Sequence, residues 1–289
     1  MMRPKSLLLL HTVTGIFAFV MAASSSSGEA FAAASPWVAG HKSKARLMAG
    51  RTPPADGDKL LAFVEIALEP GWKTYWRTPG DAGGLPPSFD WSKSSNLASA
   101  DVMFPAPQRF TDKSGNTIGY RDGLVLPVAF TAKAPGEPVS LVVGLQYGIC
   151  KEVCVPVETE LMLDVLPDEM ALAPSGALQA LDDVPRPQAG AKTGDPVLLR
   201  AESVLDGASP KISIEARFPA DAARTDVFLE APDGLFLPIP ERVGEGKDGA
   251  LVFEAGLGAD VDLARLAGKT VTVTLVGETG ASVATFVAK

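Results

Sequence analysis

Between residues 59 and 165 the apolar positions come in short runs, each soon broken by Pro or Gly. Alternation over 60–68, an aromatic run over 72–76, and apolar or β-branched runs over 88–91, 100–104, 124–132, 139–145 and 157–165 predict strands. Glu69-Pro70-Gly71 is a turn signal, and 78–87 is expected as an irregular loop because Pro86 and Pro87 cannot sit in a central strand. Residues 105–121 read as a long polar loop, and loops of that length inside compact domains often act as lids. A Pro-, Gly- and Ala-rich stretch at 169–195, with room for one short helix at 175–183, reads as a linker. A second β pattern follows at 197–204, 212–218, 227–230, 250–255, 271–276 and 282–287. The pattern predicts an all-β protein, two immunoglobulin-like β-sandwich domains in tandem at 36–168 and 196–289.

The beginning of the chain has a different pattern. Arg3 and Lys5 precede a mostly apolar run from 7 to 22, and small residues follow, so 1–32 is read as a secretory signal peptide. His11, Thr12, Thr14 and Gly15 interrupt that run before it reaches the roughly 18 apolar residues of a membrane span. The expected mature chain has no span and lies outside the cytoplasm, where disulfides persist. Net charge is −8; removing 1–32 takes away two positive charges and one negative, leaving −9. An acidic surface of that kind is a poor ligand for nucleic acid. His41 is the one histidine beyond residue 32, so neither a zinc cluster nor a His-activated nucleophile is expected, and the reading assigns no metal and no cofactor. The second β domain has neither Cys nor His and reads as a spacer or docking domain.

Both cysteines of the chain, Cys150 and Cys154, lie in Tyr147-Gly148-Ile149-Cys150-Lys151-Glu152-Val153-Cys154-Val155-Pro156. A bridge between positions four apart is geometrically possible in a turn. As a staple it is weak: a loop this short contributes about 2 kcal/mol, against about 4.7 for a loop of 100 residues. Strained, exposed bridges are the labile ones, so the spacing favours a redox pair over a structural one. Lys151 favours a thiolate by proximity and Glu152 opposes it, so sequence neighbours are expected to leave little net effect.

Three segments resemble the N-terminal periplasmic domain of the DsbD/ScsB thiol-disulfide interchange proteins, and the ScsB branch in particular. They are 71–83 (Gly-Trp-Lys-Thr-Tyr-Trp-Arg-Thr-Pro-Gly-Asp-Ala-Gly), 120–128 (Tyr-Arg-Asp-Gly-Leu-Val-Leu-Pro-Val) and the cysteine segment. The resemblance implies a periplasmic carrier of reducing equivalents, a protein-disulfide reductase type of oxidoreductase, with the cysteine pair at one end of a β-sandwich. Cys154 would face the partner and Cys150 would resolve. Periplasmic thioredoxin-like proteins would be electron donor and acceptor, in isomerase, stress or cytochrome c maturation pathways. The family's transmembrane and thioredoxin-like parts have no counterpart in these residues, so either a separate DsbD/ScsB/CcdA-like membrane protein supplies them or the domain has another source of electrons. The family also holds an aromatic residue over its cysteines, and Phe110 is the aromatic available in the matching loop, with Gln108-Arg109 where the family has an acidic pair. Tyr147 and Tyr120 are further candidates for the site surround. Trp72, Tyr75 and Trp76 form either core or a wall of a docking groove.

Two other functions compete. A Cys-x3-Cys pair followed by Pro also occurs in copper proteins, where thiolates suit Cu(I), and His41 would be the available third ligand. Alternatively, the chain is a non-catalytic immunoglobulin-like interaction module with a structural disulfide.

Overall fold

The computed structural model describes Met1 and residues 33–289 except 58, 114, 220 and 221; the expected signal peptide therefore lies outside the described residues. Strand formation follows the alternation of side chains. In the first domain the strands are β1 (Ala33–Ala34), β2 (Val38–Gly40), β3 (Ser43–Arg51), β4 (Leu60–Leu68), β5 (Lys73–Tyr75), β6 (Ser88–Asp90), β7 (Leu97–Val102), β8 (Gln108–Asp112), β9 (Gly115–Arg121), β10 (Gly123–Ala132), β11 (Val139–Cys150) and β12 (Cys154–Val165). One sheet runs β1-β3-β4-β10-β7 with β2 on β3, the other β12-β11-β5-β9-β8 with β6 on β11. Leu47, Ala49, Val64, Ile66, Leu126, Val128, Leu141, Val143, Leu145, Tyr147, Ile149 and Val157 meet between them as one buried core. The protein is all-β, built from immunoglobulin-like sandwiches.

The expected long polar loop at 105–121 is a strand hairpin over most of its length. After 105–107, β8 and β9 pair from Gln108↔Gly119 to Asp112↔Gly115. Its polar composition follows from position: β8 is an edge strand with one face in solvent, so only part of the period is apolar. Strand β3, which has no strong β signal in Lys44, Ala45, Arg46 and Ala49, is fixed by nine antiparallel residue pairs with β4.

Helix α1 (Ser175–Asp182) lies within 169–195 and is docked, with Ala173, Ala177, Leu178 and Leu181 packed on Met48, Leu61 and Phe63 of the outer face of the first sheet. Strand β13 (Arg186–Pro187) then runs parallel to the last strand. The second domain contains β14 (Val197–Val204), β15 (Lys211–Arg217), β16 (Asp226–Glu230), β17 (Glu241–Glu245), β18 (Leu251–Gly256), the short helix α2 (Leu263–Leu266), β19 (Thr270–Val276) and β20 (Ala281–Val287). Its sheets run β13-β20-β19-β16 and β14-β15-β18-β17. Among the described residues no helix is long and apolar enough to cross a membrane.

Candidate functional site

Cys150 ends β11 and Cys154 begins β12; they face each other as a residue pair at the tip of that hairpin and are joined by a disulfide, with Cα atoms 4.2 Å apart. Lys151, Glu152, Val153 and Cys154 are exposed, whereas Cys150 is half-buried. Register decides what surrounds them. Strand β5 sits beside β11 with Lys73 opposite Cys150, and beside β9 with Lys73 opposite Arg121 and Tyr75 opposite Gly119. Because side chains alternate, Cys154, Cys150, Lys73, Tyr75 and Arg121 share the outer face, while Ile149 and Thr74 turn inward. The Thr74 hydroxyl donates to the Gly148 carbonyl at 2.8 Å and fastens β5 to β11.

Tyr75 is the side chain that reaches sulfur: its hydroxyl donates to Cys154 Sγ at 2.9 Å. The ring can lie flat toward the sulfur because glycines stand on both sides of it. A Cβ on Gly84, at φ +152°, would run into the ring, and one on Gly148 would come within 2.9 Å of it. Leu85 closes the slot by accepting a hydrogen bond from the Gly148 amide at 2.8 Å. Burial raises the pKa of Tyr75, and the nearby Asp112 carboxylate raises it further. The phenol therefore stays protonated at neutral pH and remains a donor.

Phe110 projects from the hairpin and is flanked by two cations, Lys73 Nζ at 5.3 Å and Arg121 Cζ at 4.9 Å from the ring centroid. Lys73 also meets Asp112 Oδ2 at 3.4 Å. The hairpin is thus drawn toward Lys73, the residue beside Cys150. Tyr147 and Tyr120 lie elsewhere: Tyr147 is fully buried with its hydroxyl 2.8 Å from Ser43 Oγ, and the Tyr120 hydroxyl donates to the Pro105 carbonyl at 2.8 Å. Burial pushes both phenols up, Tyr120 strongly. Trp76 is core, Trp72 is half-buried, and His41 packs edge-on against Trp72 at 5.8 Å between centroids. The sequence reading missed Lys73 and the hydroxyl of Tyr75 as neighbours of the pair. Tyr75 and Cys154 are 79 positions apart, and only the pairing of β5 with β11 joins them.

An immunoglobulin-like sandwich with a disulfide at a hairpin tip and a phenol on one sulfur defines a class of candidate redox domains. Residues 45–166 match the family model described as thiol:disulfide interchange protein DsbD, N-terminal, and they form a domain of that family. Among solved structures the chain is similar to the N-terminal periplasmic domain of ScsB from Proteus mirabilis, at 21% identity and a TM-score of 0.65, over 89% of this chain and 98% of that one. That likeness extends the shared fold across both β domains. Comparison with curated proteins finds no match.

Proposed function

We propose that the protein is a periplasmic thiol-disulfide exchange protein that relays two electrons between thioredoxin-like partners through Cys150 and Cys154. The observation that carries the reading is the Tyr75 hydroxyl on the exposed sulfur of the pair. In the reductive half, a donor thiolate attacks Cys154 Sγ in line, the bond between Cys150 and Cys154 breaks, and Cys150 leaves as a thiolate that takes up a proton. The donor's second thiol then resolves the mixed disulfide, and Cys154 leaves as a thiolate. In the oxidative half, the Cys154 thiolate attacks the acceptor's disulfide, and Cys150 resolves by attacking Cys154 Sγ, which releases the acceptor as a dithiol. Negative charge falls on Cys154 in both halves, where a hydrogen-bond donor stabilises it. Val153 and Leu85, 69% and 42% exposed, give apolar surface for a partner next to the pair. Phe110 on its hairpin serves as the shield against other oxidants.

The reduction potential, measured by equilibration in glutathione or dithiothreitol buffers, is expected between about −180 and −270 mV, where exchange proteins lie. A Cys150→Ala variant should accumulate a mixed disulfide with a thioredoxin-like acceptor. A potential below about −300 mV without mixed-disulfide formation would return the bridge to a structural role.

A further inference from the structure

Strand β16 of the second domain is an edge strand whose residues face two ways. Val227 and Leu229 enter the core of their own domain, while Phe228 joins the core of the first. Phe228 meets Trp76 at 5.6 Å between centroids, and both are fully buried. On the same face, Glu230 takes a bidentate pair from Arg77 at 2.7 and 2.8 Å, and Asp226 lies 3.5 Å from Arg109. Arg109 also reaches Glu241 at 2.8 Å and the Pro240 carbonyl at 3.0 Å, and Arg224 donates to the Pro107 carbonyl.

These contacts fall on two places, each close in sequence to a side chain on the face that carries the cysteine pair. Trp76 and Arg77 directly follow Tyr75, the donor to Cys154. Pro107 directly precedes β8, and Arg109 directly precedes Phe110 on it. Along β8 the faces alternate: Arg109 is turned to the second domain and Phe110 to the outer face that holds the cysteines. Within the sheet the hairpin is at the edge: among the described residues β8 pairs with β9, and β9 pairs onward with the three residues of β5. The β9 side is also tied to the preceding loop, the Ala82 amide donating to the Asn116 carbonyl at 3.1 Å and the Ile118 amide to the Pro79 carbonyl at 2.8 Å, so β8 is the strand that depends most on contacts from outside the sheet.

We propose that the second β domain is a brace: β16 and its neighbours hold the β8–β9 hairpin and the end of β5 where Phe110 limits access to the Cys150–Cys154 pair. The second domain thereby sets the reactivity of a site to which it contributes no sulfur. The proposal rests on the exchange reading for its biological meaning, but its test does not.

The test is the rate at which the reduced full chain is alkylated by iodoacetamide, a neutral reagent from which the thiolate displaces iodide. The double variant Asp226→Asn/Glu241→Gln, which removes both carboxylates from Arg109, should react at least about threefold faster than the parent. Asp233→Asn, which breaks the Lys269 pair elsewhere on the second domain, should leave the rate unchanged. In a Phe110→Ala background the double variant should add nothing further, because the brace acts through Phe110. Equal rates for parent and folded double variant overturn the proposal, and so does an undiminished increase in the Phe110→Ala background. If the double variant does not fold, raising salt from 0.1 to 1 M shortens the screening length from about 10 to 3 Å. That change should then accelerate alkylation of the parent but not of Phe110→Ala; equal salt responses also overturn the brace. A potential below about −300 mV would end the exchange reading and leave these rate comparisons standing.

Discussion

The Tyr75 hydroxyl lies 2.9 Å from Cys154 Sγ, whereas the hydroxyls of Tyr120 and Tyr147 are spent inside the fold on the Pro105 carbonyl and on Ser43. Of these three phenols, Tyr75 alone can respond to charge on sulfur. Its raised pKa has one consequence: between pH 6 and 9 it stays neutral, so any pH dependence of reactivity in that range belongs to other groups. Tyr75→Phe keeps the ring in its slot between Gly84 and Gly148 and removes only the donor. A hydrogen bond to a charged acceptor contributes about 1.5 kcal/mol or more, so the variant should hold less of its reduced Cys154 as thiolate and alkylate about tenfold more slowly at pH 7. Since the reduced form loses stabilisation, the potential should also become more negative, by about 30 mV per tenfold in the equilibrium constant. A rate against pH profile that superimposes on the parent's would deny Tyr75 this role.

The element that matters most at the next scale is the β8–β9 hairpin, and it was also the hardest to read. The sequence of β8, Gln-Arg-Phe-Thr-Asp, places its one large apolar side chain on the outer face, beside Lys73 and Arg121, and its inward position is taken by Arg109, which answers the second domain's carboxylates. That reverses the usual period, so the segment looks like a polar loop although it is a paired strand. Strands with an ordinary face, such as β4 and β10, were legible almost to the residue. Spacing singled out the cysteine pair, which the structure joins as a disulfide, and family likeness singled out Phe110 as a candidate; nothing in the sequence singled out Lys73 or the Tyr75 hydroxyl, because cross-strand register is a tertiary property. Phe110→Ala should accelerate alkylation of the reduced pair by iodoacetamide about tenfold if the ring shields the sulfurs, with little change in the melting temperature, since the ring is only half-buried. An unaltered rate would make Phe110 an anchor for Lys73 and Arg121 and nothing more.

Across the whole molecule the two sandwiches are tied along several lines, and the Pro-, Gly- and Ala-rich stretch between them is one of these. Composition reads that stretch as a linker with room for a short helix; what it could not show is that Arg186 would gather it. Its guanidinium donates to both oxygens of Asp195 at 2.6 and 2.8 Å and to the Asp182 carbonyl at the end of α1 at 2.7 Å. Asp195, its side chain 1% exposed, also accepts from the Lys192 amide at 2.7 Å. Helix α1 is packed on the first domain and Asp195 opens the second, so this pair fixes the path from one to the other. Burial alone would raise the pKa of Asp195, but the Arg186 hydrogen bonds, the Lys192 amide and the charges of both residues together hold it below the ordinary value. A depressed carboxyl contributes stability that is full above its unfolded pKa of about 3.9 and is lost as pH falls through the folded value. Asp195→Asn should therefore destabilise the protein at pH 7 by about 2 kcal/mol, between the values for exposed and buried pairs. The gap between variant and parent should narrow as pH is lowered below about 4, as the parent's own carboxylate is protonated. Urea unfolding midpoints at pH 7 and pH 3 measure it: a gap that stays constant would mean that Asp195 acts by packing beneath Gly280, where a Cβ would strike its carboxylate, and not by its charge.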